Sequence, residues 1–487
     1  MSKDAFSILL SGGLKCAIMI LNQISQRNHI LRIEVSAMRD RENSALSEYV
    51  QMKEVLENAK LGAFLIVPLK YNQLGETSAD WLEVNAEPVT IETVDLNDSV
   101  RKLLNSVDQD SILRRYLISG ETVLRNILGE VPREKPEFYA CDRDHVEFTE
   151  RQRFTLLDEM ELYIFHTKVA FLCVKICFDT MAVLDTIANL GYTENNVLYF
   201  RSMPDGSKEP VDFEGKLLQM CRKSGLSLFN DVNGSIFLEA YSYTTAVVST
   251  RFRELETMRQ ATFNLHLMVD LPEAAEDGSE EDINYVYAVK DQSLGSYRWG
   301  SCITSQTISY IVARQDTDIV DEMALQAENG VPLVLLALYQ KYTCLRYQEI
   351  LAATENFTPK RIRMMRKKLL DFQVFGTIAP ANISHWHNIK QTYKYLLEEN
   401  DIPEAVEKMS LSLKILADRQ KEIADARFNV VLGLAAVFGA VAVPSAVIGI
   451  LEMLHGADPL SWLAVLVSLM SVIVVAVILM FYRRGHH

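Results

Sequence analysis

Residues 430–451, VVLGLAAVFGAVAVPSAVIGIL, and residues 463–482, LAVLVSLMSVIVVAVILMFY, decide how this chain is read. Neither run holds a charged residue, and each reaches the roughly 20 apolar residues that cross a bilayer core. Arg419, Lys421 and Arg427 precede the first run and Arg483 and Arg484 follow the second, while the link 452–459 has no Lys or Arg. By the positive-inside rule a hairpin of two transmembrane helices is expected, both ends cytoplasmic, with Trp462 as an interfacial anchor. The expected location is the inner (cytoplasmic) membrane, multi-pass. A pair of buried core helices is the competing reading, and two adjacent uncharged runs flanked by cations fit it less well.

A single hairpin is a poor conduit, so transport requires an oligomer. Ala435, Gly439, Ala442, Ala446 and Gly449 recur at steps of four and three, a helix-packing stripe of small residues. Beside it run Asn429, Gly433, Ala436, Ala440 and Pro444, the candidate pore-lining residues; a capping role at the interface suits Asn429 equally well. Upstream, Asp401-Ile402-Pro403-Glu404 reads as a helix start. Val406, Met409, Leu413, Leu416, Gln420 and Ile423 then hold heptad positions. From Pro403 to Ile450 only Pro444 would interrupt a helix, so stalk and first span form one rod of roughly 70 Å. An amphipathic helix packed on its own domain is the simpler alternative.

Working outward, 487 residues suffice for two or three domains besides a membrane part. The net charge of −15 argues against nucleic-acid binding through a basic surface. Seven cysteines lie scattered in apolar segments without the spacing of a zinc site or a disulfide framework, and the N-terminus has no signal-peptide core. The expected division is an N-terminal α/β extension (1–155), an α/β cytoplasmic domain (156–330), a helical region with stalk (331–428), and the hairpin with a short tail (429–487).

In the body, residues 161–165, 169–178, 197–200, 235–250, 262–271, 284–289 and 305–312 read as strands, and 181–190 and 213–223 as helices. Further helices are expected over 332–351, 359–372 and 385–399. The segment from Pro359 to Lys368 is the concentrated basic stretch; a solvated helix face is its default, and Lys360, Arg361 and Arg363 are candidate ligand contacts. Residues 6–10 read as a strand feeding Ser11-Gly12-Gly13-Leu14-Lys15-Cys16. This loop resembles the phosphate loop of pyrophosphatase-type nucleotide-binding domains, with Lys15 and Cys16 in place of the usual Asp and Ser. Ser11, Gly12, Gly13 and Lys15 are therefore candidate ligand-binding residues, and a plain strand-to-helix turn is the alternative.

From about residue 235 onward the order of parts resembles the CorA-like divalent-cation channel superfamily. A β-rich segment ends at Ile308-Ser309-Tyr310-Ile311-Val312-Ala313-Arg314, a helix carries Val334-Leu335-Leu336-Ala337-Leu338-Tyr339, and a charged stalk leads to the hairpin with its basic tail. The superfamily's first span ends in Gly-Ile-Tyr-Gly-Met-Asn; here stand Gly449-Ile450-Leu451-Glu452-Met453-Leu454. The resemblance implies a homo-oligomer, five-membered in that family, with Glu452, Met453 and Leu454 at the pore mouth. Leu454 lacks the amide that would meet a hydrated magnesium ion, and Glu452 could supply carboxylates instead.

The expected fold is thus an α/β cytoplasmic domain, a long stalk helix and a C-terminal two-helix transmembrane hairpin, assembled as a CorA-like funnel. The expected function is a non-enzymatic ion channel, gated by a ligand on its cytoplasmic domain. By analogy it is a signal-responsive membrane effector of the antiviral, CRISPR-associated kind. Its partners would be the lipid bilayer, other copies of itself and a nucleotide-type second messenger, without direct nucleic-acid binding. No cofactor is assigned beyond a divalent cation or nucleotide-type ligand. A divalent metal (Mg, Co, Ni) transporter and a membrane-anchored nucleotide-binding enzyme using the Ser-Gly-Gly loop are the alternatives.

Overall fold

The computed structural model describes residues 55–71, 81–82, 84–93, 95–105, 112–189, 197–230, 235–249, 251–268, 286–314, 317–352, 359–455, 466 and 470. They fall into two units, Met1–Ile350 with Phe372–Ala405, and Leu351–Asp371 with Val406–His487.

Among the described residues, the first unit is built on a 14-stranded mixed sheet. Its spine is β1 (Lys60–Lys70), nine of whose eleven residues are buried. The first strands are β2 (Glu87–Val89), β3 (Leu113–Ser119), β4 (Glu137–Asp142), β5 (Arg153–Leu156), β6 (Glu159–Phe165) and β7 (Val169–Phe178). β8 (Val197–Ser202), β9 (Lys208–Val211), β10 (Ser227–Leu228), β11 (Tyr241–Val248), β12 (Val286–Asp291), β13 (Ser296–Ile303) and β14 (Thr307–Ala313) complete it. The main path runs β12-β13-β14-β11-β1-β7-β5-β4-β8-β9. β7 is long enough to take β1 along one edge and both β5 and β6 end to end along the other. β3 joins through β6, and the three-residue β2 through β3.

Alternation along β1 divides the body into layers, because successive side chains point to opposite faces. Leu61, Ala63, Leu65, Val67 and Leu69 enter the main apolar core with Val123 and Ile127 of α2 (Gly120–Leu128). The same core takes Leu217 and Cys221 of α3 (Phe213–Lys223) and Met258, Ala261 and Leu265 of α4 (Leu255–His266). The other face carries Gly62, against which Met323 and Ile319 of α5 (Ile319–Ala352) come so close that a Cβ would collide with the Met323 side chain. Tyr339 of α5 stacks on Phe165 with centroids 4.2 Å apart. α7 (His387–Glu399) adds an outer layer, with Gln340 Nε2 donating to the Tyr393 hydroxyl at 2.7 Å. The segment 95–97 is tied to Asn382 and Ile383 by bonds of 2.8 and 3.0 Å. Caps set the short helices: Ser119 accepts from Thr122 N–H and Gly129 closes α2 with φ 79°, the left-handed turn that favours glycine.

The second unit contains α6 (Pro359–Asp371) and most of α8 (Ile402–His455), a single helix of 54 residues. At 1.5 Å per residue it is about 80 Å long.

Several expectations are corrected. Among the described residues no helix is long and apolar enough to cross a membrane. The expected CorA-like fold with its two-helix transmembrane hairpin is therefore overturned. The membrane and ion-channel reading and the multi-pass inner-membrane location fall with it. Residues 430–451 are part of α8, whose earlier turns carry Glu404, Glu407, Lys408, Lys414 and Asp418. The helix start expected at 401–404 and the continuous rod to Ile450 coincide with α8; a hairpin, however, needs two crossing helices, and of 463–482 only Leu466 and Met470 are described. Within the body, 262–271 does not start a strand: α4 covers Leu255–His266. There Met258, Ala261, Thr262 and Leu265 are buried at helical spacing, so burial periodicity overrides the β-preference of Thr262 and Phe263. The helix expected from Pro332 starts at Ile319 and runs through that proline, whose neighbours Val331, Leu333 and Val334 are buried.

Candidate functional site

A strand of unusual charge bounds the site. β3 is LRRYLIS, and it pairs with β6 along its whole length. On its other edge β2 reaches only Arg115, Tyr116 and Leu117. Alongside Leu113 and Arg114, where β2 has ended, lies a cavity of about 230 Å³ lined by residues 88–91, Leu104, Asn105 and residues 113–116. Asn105, just past α1 (Asp98–Leu104), shapes one wall. Its Oδ1 accepts from Ile91 N–H and its Nδ2 donates to Ile91 C=O, each at 2.7 Å. That amide imitates a strand partner, which holds residues 90–91 in place where the ladder has stopped.

Among the described residues, two arginines line this cavity and no carboxylate does. Two larger cavities show the opposite balance. One of about 440 Å³ sets Asp212 and Glu214 against Arg143. Another of about 580 Å³ carries Glu57, Glu137, Glu150 and Asp179 against Lys60 and Arg153. Arg153 is already committed there, to Asp179 at 2.6 Å and Glu137 at 3.3 Å.

Behind the arginine cavity lies a buried charge cluster on the α5-facing side of the sheet. Glu161 of β6 is 1 % exposed. Its Oε2 accepts from Arg115 Nε at 2.9 Å, and Arg115 Nη2 lies 2.8 Å away. The Tyr163 hydroxyl donates to the same oxygen, and Lys175 of β7 meets Oε1. Strand register makes this possible: Arg115 opposes Tyr163 and Cys173 opposes Glu161, so Arg115 and Lys175 are both diagonal neighbours of the carboxylate. Burial alone pushes the Glu161 carboxyl up, but the Lys175 and Arg115 charges, with hydrogen bonds from Lys175 and Tyr163, hold it below the usual range. Burial and then the Glu161 charge push the Tyr163 hydroxyl far up, which keeps it a donor. The cluster carries two cations for one anion, a local surplus of one positive charge.

A second buried carboxylate sits under α5. Glu322 faces Arg314 Nη1 at 2.9 Å and accepts from Gln326 Nε2 at 2.8 Å, and the Tyr243 hydroxyl donates to Gln326 Oε1 at 2.6 Å. No described cavity among the three above opens onto it, and it reads as a fastening of α5 to the sheet. The buried thiols are held protonated: burial pushes Cys141 up to about 11, and Cys221 and Cys344 to about 12. Among the described residues no group of three His, Cys, Asp or Glu side chains could hold a metal ion.

The sequence-predicted residues lie elsewhere. Ser11, Gly12, Gly13 and Lys15 fall outside the described residues. Lys360, Arg361 and Arg363 lie on α6. Asn429, Gly433, Ala436, Ala440 and Pro444 lie on α8, as do Ala435, Gly439, Ala442, Ala446, Gly449, Glu452, Met453 and Leu454. The Arg114-Arg115 pair was not singled out from sequence; adjacent arginines inside a β-type run of an acidic chain were the available signal. No family model, no curated protein and no solved structure matches the chain.

Proposed function

We propose that this protein is a ligand-responsive effector rather than an enzyme, whose α/β body takes up the phosphate groups of a nucleotide-type ligand at the Arg114–Arg115 cavity. The observation that carries this reading is the pair of arginines that line the cavity, with no carboxylate among its described lining residues, in a chain of net charge −15. Arginine's planar fork matches phosphate oxygens in pairs. At about 230 Å³ the cavity is smaller than the roughly 300–1,000 Å³ of complete small-molecule sites, so it suits the phosphates and leaves the rest of the ligand outside.

Self-assembly is the second part of the proposal. α8 exposes Leu411, Ile415, Val430, Val437, Ile448 and Leu454, and apolar surface on so long a helix favours association with another copy. Titration calorimetry with inorganic pyrophosphate and with ADP tests the first part. Binding of either that falls about tenfold in Arg114→Gln supports the cavity, and no heat from either at millimolar concentration rejects it. Light scattering of the full chain in detergent-free buffer tests the second; a monomer, or a chain that dissolves only with detergent, rejects self-assembly.

A further inference from the structure

We infer that Arg115 is an exchange arginine: on ligand uptake it leaves Glu161 for the phosphate, while Lys175 keeps the carboxylate paired. The inference rests on the phosphate reading of the cavity and adds how that site is regulated. Arg115 belongs to two places at once. Its Nε and Nη2 face Glu161, whereas its Nη1 donates to Thr90 C=O, in the cavity wall, at 3.2 Å. The guanidinium carbon lies 5.8 Å from the centre of the Tyr163 ring, a surface on which a planar cation can shift without losing contact.

The second cation is what permits the exchange. A buried carboxylate that loses its sole cationic partner is strongly destabilised. Glu161 does not face that penalty, because Lys175 and the Tyr163 hydroxyl remain on it. The surplus positive charge of the cluster is balanced when an anion arrives, whereas a simple Arg–Glu pair would already be neutral.

The same exchange reaches α5. Thr90 is held by Arg115, and the buried Thr93 three residues on donates to Asn329 Oδ1 of α5 at 2.7 Å. When Arg115 turns to a phosphate, the Thr90 bond is lost, and residues 90–93 keep only the Asn105 bonds at Ile91 and the Asn329 bond at Thr93. Ligand uptake and the seating of α5 are thereby linked through one short segment.

Opposite effects of two substitutions provide the test. Pyrophosphate is titrated into the full-length wild type, Glu161→Gln and Lys175→Gln, with thermal unfolding of each recorded. Glu161→Gln frees Arg115 and should tighten binding about tenfold; Lys175→Gln makes the carboxylate depend on Arg115 and should weaken it about tenfold. Damage to the fold would weaken both, and that result, or two unchanged affinities, overturns the exchange while leaving the cavity reading intact. A wild type that binds no pyrophosphate overturns the cavity reading itself. Should Glu161→Gln not fold, hydrogen exchange of the wild type decides: pyrophosphate should speed exchange in the peptide covering residues 88–97, and unchanged or slowed exchange there rejects the mechanism.

Discussion

Glu161 offers a strong test of the energetics, because it is a carboxylate of 1 % exposure with two cations whose side chains are 14 % and 12 % exposed. Replacing either cation by an apolar residue, Arg115→Leu or Lys175→Met, removes charged hydrogen bonds and leaves the other cation in place. Each should cost about 1–3 kcal/mol. The double variant leaves the carboxylate without a cation and only the Tyr163 hydroxyl on it, so its cost should exceed the sum, with a coupling of about 1–3 kcal/mol. Urea unfolding followed by fluorescence gives these differences from shifts of the midpoint.

The pH dependence should reverse as well. In the wild type the two cations hold the carboxyl low, so its contribution is present above the unfolded-chain value of about 4.3 and fades as pH falls through the lower folded value. Between pH 5 and 7.5 the wild type should show little change from this group. Without the cations, burial raises the folded value; stability is then full below about 4.3 and lost as pH rises through the raised value. The double variant should therefore be more stable at pH 5 than at pH 7.5. Additive single costs together with a double variant indifferent to pH would refute the account of Glu161 as a carboxylate sustained by two interchangeable partners.

Two other consequences follow from particular contacts. Gly120 opens α2 against the Asp158 backbone carbonyl, and a Cβ there would collide with an atom that has no side-chain freedom to move; Gly120→Ala should lose about 1–3 kcal/mol, read as a lowered unfolding midpoint. Cys221 and Cys344, pushed up to about 12, should react with iodoacetamide at pH 8 slower than an exposed thiol by two orders of magnitude or more, and modification of these peptides in the native chain at ordinary rates would contradict their burial.

Elements with a self-contained signal were legible in the sequence. The strand 169–178 and the helix 213–223 coincide with β7 and α3, because a run rich in Val, Ile and Phe in one case and helical spacing in the other are local properties. The pattern of α4 was misread where β-preferring side chains occupy a buried helical face. The helix start at 401–404 and the rod through Ile450 coincide with α8, whereas the lack of charge in 430–451 did not establish a crossing, since among the described residues no helix is long and apolar enough to cross a membrane.

By itself, then, the sequence determined the α/β character of the body, the long helix leading to the C-terminus and the acidic balance of the chain. Only the tertiary structure decided that Arg115 and Lys175 converge on Glu161 and that β2 stops short beside a cavity that both Arg114 and Arg115 line. The physical reason is register. Diagonal neighbours on a sheet are fixed by which residue pairs with which across β3, β6 and β7, and a slip of one residue would carry Glu161 to the opposite face.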